Sequence, residues 1–172
     1  MSLIDKYYHK IKYIFLKFNN ILELDNKYMN EYLNSCSNEL DINLINNSDI
    51  FEKSEILTNE NIDNNIIKSL YKQLAKKCHP DKNKDKEKEF IIINEAYKKN
   101  DILTLFIYSY ENKLYNNNLS DNFIIMLDEQ IKKKENEIND IKNKAYWKWV
   151  ESNNDLEKEL INSYIKSKLY DS

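Results

Sequence analysis

The chain has 172 residues, 41% of them hydrophobic and 32% charged, with a formal net charge of -3; this is a globular rather than a disordered composition, with room for one domain or two small ones. Gly is 0 and every basic residue is Lys, with no Arg, which excludes the glycine-dependent phosphate loops of Rossmann and P-loop type and denies nonspecific nucleic-acid binding its cationic surplus. The 2 Cys, Cys36 and Cys78, and the 2 His, His9 and His79, form no metal-ligand spacing.

Taken in chain order, Ile4, Tyr7, Tyr8, Ile11, Ile14, Phe15 and Phe18 recur at three- and four-residue spacing, which predicts an amphipathic helix. Asn19-Asn20 is expected to end or kink it, with a second helix through Ile21, Leu24, Tyr28, Tyr32 and Leu33. From Asn34 to Asn65 the pattern weakens, and only a short helix around Asp49 to Leu57 is expected. Ile67, Leu70, Tyr71, Leu74 and Cys78 then share one helix face, while Lys68, Lys72 and Lys76 form a row on another. Phe90, Ile93, Asn94 and Tyr97 mark a following helix, and Ile102, Leu105, Phe106 and Tyr110 one after that. Leu127, Ile131, Ile138, Ile141, Ala145 and Trp149 approximate a heptad stripe on a long helix, coiled-coil-like over about three heptads. Ser152-Asn153-Asn154-Asp155 reads as a break and a cap, and Leu156, Leu160, Tyr164 and Ile165 as a last helix folding back as a hairpin. With no Gly available, Asn is the residue expected to close these helices.

Between the helix ending near Cys78 and the next one stands His79-Pro80-Asp81-Lys82-Asn83, which holds the chain's only Pro and one of its 2 His. Upstream lie Tyr71 and Leu74-Ala75, downstream Phe90, Asn94, Ala96 and Tyr97. Together these residues resemble the J domain, the module that defines DnaJ-type co-chaperones. The resemblance is strong over residues 63–100 and looser across 50–113. It implies an all-α fold in which an antiparallel helix pair holds the His-Pro-Asp loop at one end. Here that pair is flanked by N-terminal helices and a C-terminal helical hairpin. The boundaries expected are an N-terminal helical segment at 1–49, a J-like domain at 50–115 and the hairpin at 119–172.

The resemblance further implies a function. The family docks on a DnaK-type 70-kDa heat-shock chaperone and stimulates its ATP hydrolysis, doing no chemistry of its own. His79, Pro80 and Asp81 carry over as docking residues. Asp81 would pair with a cation on the chaperone, Pro80 would stiffen the loop, and His79 would fix its shape by hydrogen bonding. Lys68, Lys72 and Lys76 match the family's basic helix face, which steers association with an acidic surface.

Three departures from the family pattern motivate an alternative, a J-like interaction adaptor that has lost chaperone stimulation. Phe51…Glu55-Ile56-Leu57 lacks the Gly of the family's Tyr-x-x-Leu-Gly segment, Cys78 replaces an aromatic residue, and Asp101-Ile102-Leu103 follows where a basic segment is usual. Neither reading is an enzyme, and neither needs a cofactor or metal. The flanking helices would recruit a client or another partner. Neither nucleic acid nor a membrane is expected as a partner: residues 1–6 hold no signal-peptide apolar core, and the longest apolar stretch, Ile102 to Tyr110, is too short to span a bilayer. Two separate thiols then read as reduced, in a cytoplasmic protein. The Asn-, Lys- and Ile-rich composition suits an AT-rich genome, such as a parasite or a large DNA virus; in a virus the site would be the host cytoplasm or the virion.

Overall fold

The computed structural model describes residues 1–36, 64–115 and 119–170, and every regular element among them is helical. The helices are α1 (Leu3–Cys36), α2 (Asn64–Cys78), α3 (Glu87–Lys98), α4 (Ile102–Glu111), α5 (Asp121–Lys142), α6 (Ala145–Glu151) and α7 (Asp155–Tyr170), with one turn of 3-10 helix at Lys84–Lys86 before α3. The all-α class expected from the sequence is therefore the class found. The short helix expected around Asp49 to Leu57 lies outside the described residues.

The chain divides into two compact units, one of residues 1–16 with 58–134 and one of residues 17–57 with 135–172. Each draws on two separate stretches, whereas the boundaries read from the sequence are contiguous. The reason is α1. Asn19 and Asn20 do not interrupt it; both are exposed, and an exposed Asn costs a helix only about 0.5 kcal/mol relative to Ala. The helix therefore continues, and its first part serves one core and its remainder the other.

In the first unit, Ile4, Ile11 and Ile14 of α1 join Ile67, Leu74 and Cys78 of α2, Ile93 and Ala96 of α3, most of α4, and Phe123, Leu127 and Ile131 of α5 in one apolar cluster. Helix α4 is the innermost element: Ile102, Leu105 and Phe106 are fully buried, and Leu103, Ile107 and Ser109 nearly so. The tyrosines of α1 form fastenings at the rim of this core. Tyr7 donates to Asp128 at 2.7 Å and Tyr8 to Glu111 at 3.0 Å, and Tyr8 stacks on Tyr110 with ring centroids 4.0 Å apart. Lys12 pairs with Glu111 at 2.8 Å.

Two helices of this unit end as the absence of Gly requires. After α3, Asn100 takes a left-handed conformation (φ 53°), and the Asp101 and Asn100 amides return to the carbonyls of Ala96 and Tyr97. Asp101 then caps α4, accepting from the Thr104 amide at 3.0 Å and its hydroxyl at 2.7 Å. After α4 the left-handed residue is Lys113 (φ 55°), not the preceding Asn112. The Asn112 side chain is committed elsewhere.

In the second unit, Ile21, Tyr32 and Cys36 of α1 pack with Ile138 of α5, Tyr146 and Trp147 of α6, and Ile165 of α7. The long helix expected through Trp149 instead stops at Lys142. Lys144 is extended (ψ 145°), and α6 restarts at Ala145. The break lets three donors converge on one carboxylate. Lys144 reaches Asp25 at 2.8 Å, the Trp147 indole N–H reaches it at 2.6 Å, and the Tyr146 hydroxyl donates to it as well. Helix α6 packs on α7 across the expected break at Ser152, where Asn154 caps α7 through the Leu156 amide at 3.0 Å. Of the stripe, Leu127 and Ile131 are buried in the first core and Ile138 in the second.

Candidate functional site

The site is built on the turn between α2 and α3. The residue before a proline is pushed out of helical geometry, so α2 closes at Cys78 and His79 begins the turn. The His79 carbonyl accepts the amides of Lys82 and Asn83, each at 3.0 Å, and its Nδ1 accepts the Asp81 amide at 3.2 Å. Pro80 holds the middle of this bend with a fixed φ and no amide to satisfy. The His79 ring leans on Phe90 of α3, centroids 5.1 Å apart. Imidazole and carboxylate are thus divided in role: the His79 side chain is 44% exposed and shapes the turn, while that of Asp81, 3.5 Å from Nδ1, is 85% exposed and faces solvent.

The two helices fold back on each other. Tyr71 stacks on Tyr97 with centroids 4.0 Å apart, and its hydroxyl donates to Asn94 at 2.8 Å. Cys78 lies beside Glu89, and His79 beside Phe90. Residue numbers that fall on one helix as they rise on the other are the register of an antiparallel pair. Lys68, Lys72 and Lys76 all lie exposed on α2, one helical turn apart, on the side away from Ile67, Leu74 and Cys78.

Below the turn lies a polar node that the motif does not announce. Asn112, at the end of α4 and only 4% exposed, donates its amide to Glu89 at 3.3 Å and to the Tyr108 carbonyl at 2.9 Å. Its side-chain oxygen accepts from Lys86, and its backbone carbonyl from Lys77. Lys86 also pairs with Glu89 at 3.4 Å. Both ends of the turn are therefore tied to α4. Adjacent lysines separate by role, Lys76 pointing to solvent and Lys77 to Asn112. Sequence reasoning missed Lys77, Lys86, Glu89 and Asn112. The single local signal was the Lys86–Glu89 spacing, since Asn112 lies 26 positions from Lys86. Cys78, fully buried at the foot of the turn, is a packing residue: burial pushes its thiol up from the ordinary 9.0, with the Glu89 carboxylate adding to this and Lys86 opposing it.

Chemically, the arrangement presents one solvated carboxylate on a stiff bend beside a row of ammonium groups. No cluster of metal-ligating side chains occurs among the described residues. No helix among them is long and apolar enough to cross a membrane. Residues 55–99, well under half of the chain, match the family model of the DnaJ domain. No curated protein and no solved structure gives a significant match.

Proposed function

We propose that this chain is a J-domain co-chaperone that docks on a DnaK-type 70-kDa heat-shock chaperone and stimulates its ATP hydrolysis, a reading that the DnaJ-domain match supports. The observation that carries this reading is the exposure of Asp81 on a proline-stiffened turn whose two flanking helices are clamped together. A carboxylate so placed meets a partner cation with little loss of loop entropy. Lys68, Lys72 and Lys76 add a cationic ridge that steers the approach of an acidic surface. The chain does no chemistry itself; it works on the chaperone's own hydrolysis. The flanking helices recruit a client, and the cytoplasm is the compartment that suits two unbridged thiols.

Single-turnover ATP hydrolysis by such a chaperone, with and without the chain, tests this. Acceleration is expected. Asp81→Asn keeps the turn's shape but removes the charge, and a charge-assisted contact of about 2 kcal/mol corresponds to a roughly thirtyfold loss of docking affinity. Charge reversal at Lys68, Lys72 and Lys76 should slow association most at low salt. Absence of stimulation, or equal stimulation by Asp81→Asn, overturns the proposal. Capture of a different protein that ignores changes at His79 and Asp81 would then establish the adaptor.

A further inference from the structure

Two lysines bracket the turn, Lys77 in the last turn of α2 and Lys86 just before α3. The ammonium groups of both reach one residue. Lys77 donates to the backbone carbonyl of Asn112, and Lys86 to its side-chain oxygen. Asn112, only 4% exposed, thus holds the chain on either side of His79-Pro80-Asp81. An amide suits this task because it accepts and donates at once. While its oxygen takes Lys86, its nitrogen reaches Glu89 at 3.3 Å and the Tyr108 carbonyl at 2.9 Å. The anchor is itself held from another side: the preceding residue, Glu111, accepts from Tyr8 at 3.0 Å and pairs with Lys12 at 2.8 Å. Within the turn, the amides of Asp81, Lys82 and Asn83 all return to His79. Bonds that run to one residue set the curl of the turn but not its tilt against the two helices. The clamp at Asn112 acts on that tilt.

We propose that Asn112 is a positioning residue for chaperone docking: it fixes the tilt of the turn, and with it the direction in which Asp81 points. The inference rests on the co-chaperone reading. It also divides the lysines by task. Lys68, Lys72 and Lys76 steer the approach, whereas Lys77 and Lys86 spend their charge inside the protein on the clamp. A turn held in this way loses less freedom on docking, so the clamp governs affinity and leaves the chaperone's saturated rate alone.

Two measurements on the full chain test this: single-turnover ATP hydrolysis by the chaperone, titrated with the chain, and NMR proton exchange at the amides of Asp81, Lys82 and Asn83. Asn112→Ala and Lys86→Gln should each raise the half-saturating concentration roughly tenfold, with the saturated rate unchanged. Both should speed exchange at the three turn amides. Lys84→Gln makes the same charge change at an exposed position nearby and should do neither. Asn112→Asp sets a second carboxylate against Glu89 and should weaken docking as Ala does. Adding Glu89→Gln restores a donor opposite that carboxylate and should recover most of the affinity. Helical circular dichroism at the assay temperature shows that each variant stays folded, and in a folded chain a loss of stability alone does not move the affinity. Affinity unmoved by Asn112→Ala, Lys84→Gln matching Lys86→Gln, or no recovery in the double variant would overturn the proposal. Failure of the native chain to stimulate overturns the co-chaperone reading instead. The exchange rates need no chaperone and still decide the clamp: turn amides indifferent to Asn112→Ala would overturn it.

Discussion

In the first unit the buried polar node is a neutral amide, Asn112, held by Lys86, Glu89 and the Tyr108 carbonyl; in the second it is a carboxylate, Asp25, 15% exposed and holding Lys144, Tyr146 and Trp147. The amide joins residues that already carry opposite charges, Lys86 and Glu89, so its removal leaves them each other. The carboxylate opposes the Lys144 ammonium directly and also takes two aromatic donors. A core organised around an amide should therefore tolerate loss of its node better than one organised around a charge.

The sharpest way to break this comparison is to delete both nodes. Asp25→Ala should destabilise the chain by about 3 kcal/mol, since an ammonium and two aromatic donors lose their acceptor together. Urea unfolding followed by tryptophan fluorescence, which reports on Trp147 and Trp149, measures this. Asn112→Ala should cost about 1.5 kcal/mol in the same experiment followed by circular dichroism. If the order reverses, the distinction between the units is wrong. Asn112→Ala should also loosen the turn and reduce chaperone stimulation with Asp81 intact. Lys113→Gly should stabilise the chain by roughly 0.5–1 kcal/mol, because a left-handed residue with a Cβ is strained where Gly is not; no gain in melting temperature would mean that this strain is absent.

The gentlest test is alkaline titration, which reads both units at once. Tyr7 of the first is pushed up from the ordinary 10.0 to about 12, by burial and then by its bond to Asp128. In the second, Tyr32 is raised by burial, and Tyr146 by burial with Asp25 adding to it. The folded chain thus keeps phenolic protons that the unfolded chain releases near pH 10. Stability is intact below that pH and falls as pH rises through 10 toward 12. Phenolate absorbance should therefore appear in two phases, the later one coinciding with unfolding. A single phase near pH 10 with the fold retained would contradict the burial of these rings.

The helix pair around the turn was legible in the sequence because its determinants are local. Pro80 stops α2, Ile67, Leu74 and Cys78 fall on one face at helical spacing, and Tyr71 with Tyr97 marks the facing side. Legibility fails at α7, for an equally physical reason. Leu156, Leu160 and Tyr164 make as regular a row as any in the chain, yet the core takes Ile161 and Ile165. A helix with two apolar faces does not declare which one its neighbour will use.

Sequence alone determined the helical class, the place of the bend and the charge it displays, since proline geometry and helical periodicity act over a few residues. Tertiary structure alone decided that α1 runs unbroken past Asn19-Asn20, that the heptad stripe breaks at Asn143-Lys144 so that three donors reach Asp25, and that Asn112 anchors a turn far from it in the chain. Those outcomes depend on which side chains meet across long sequence separations, and no local pattern encodes such a meeting.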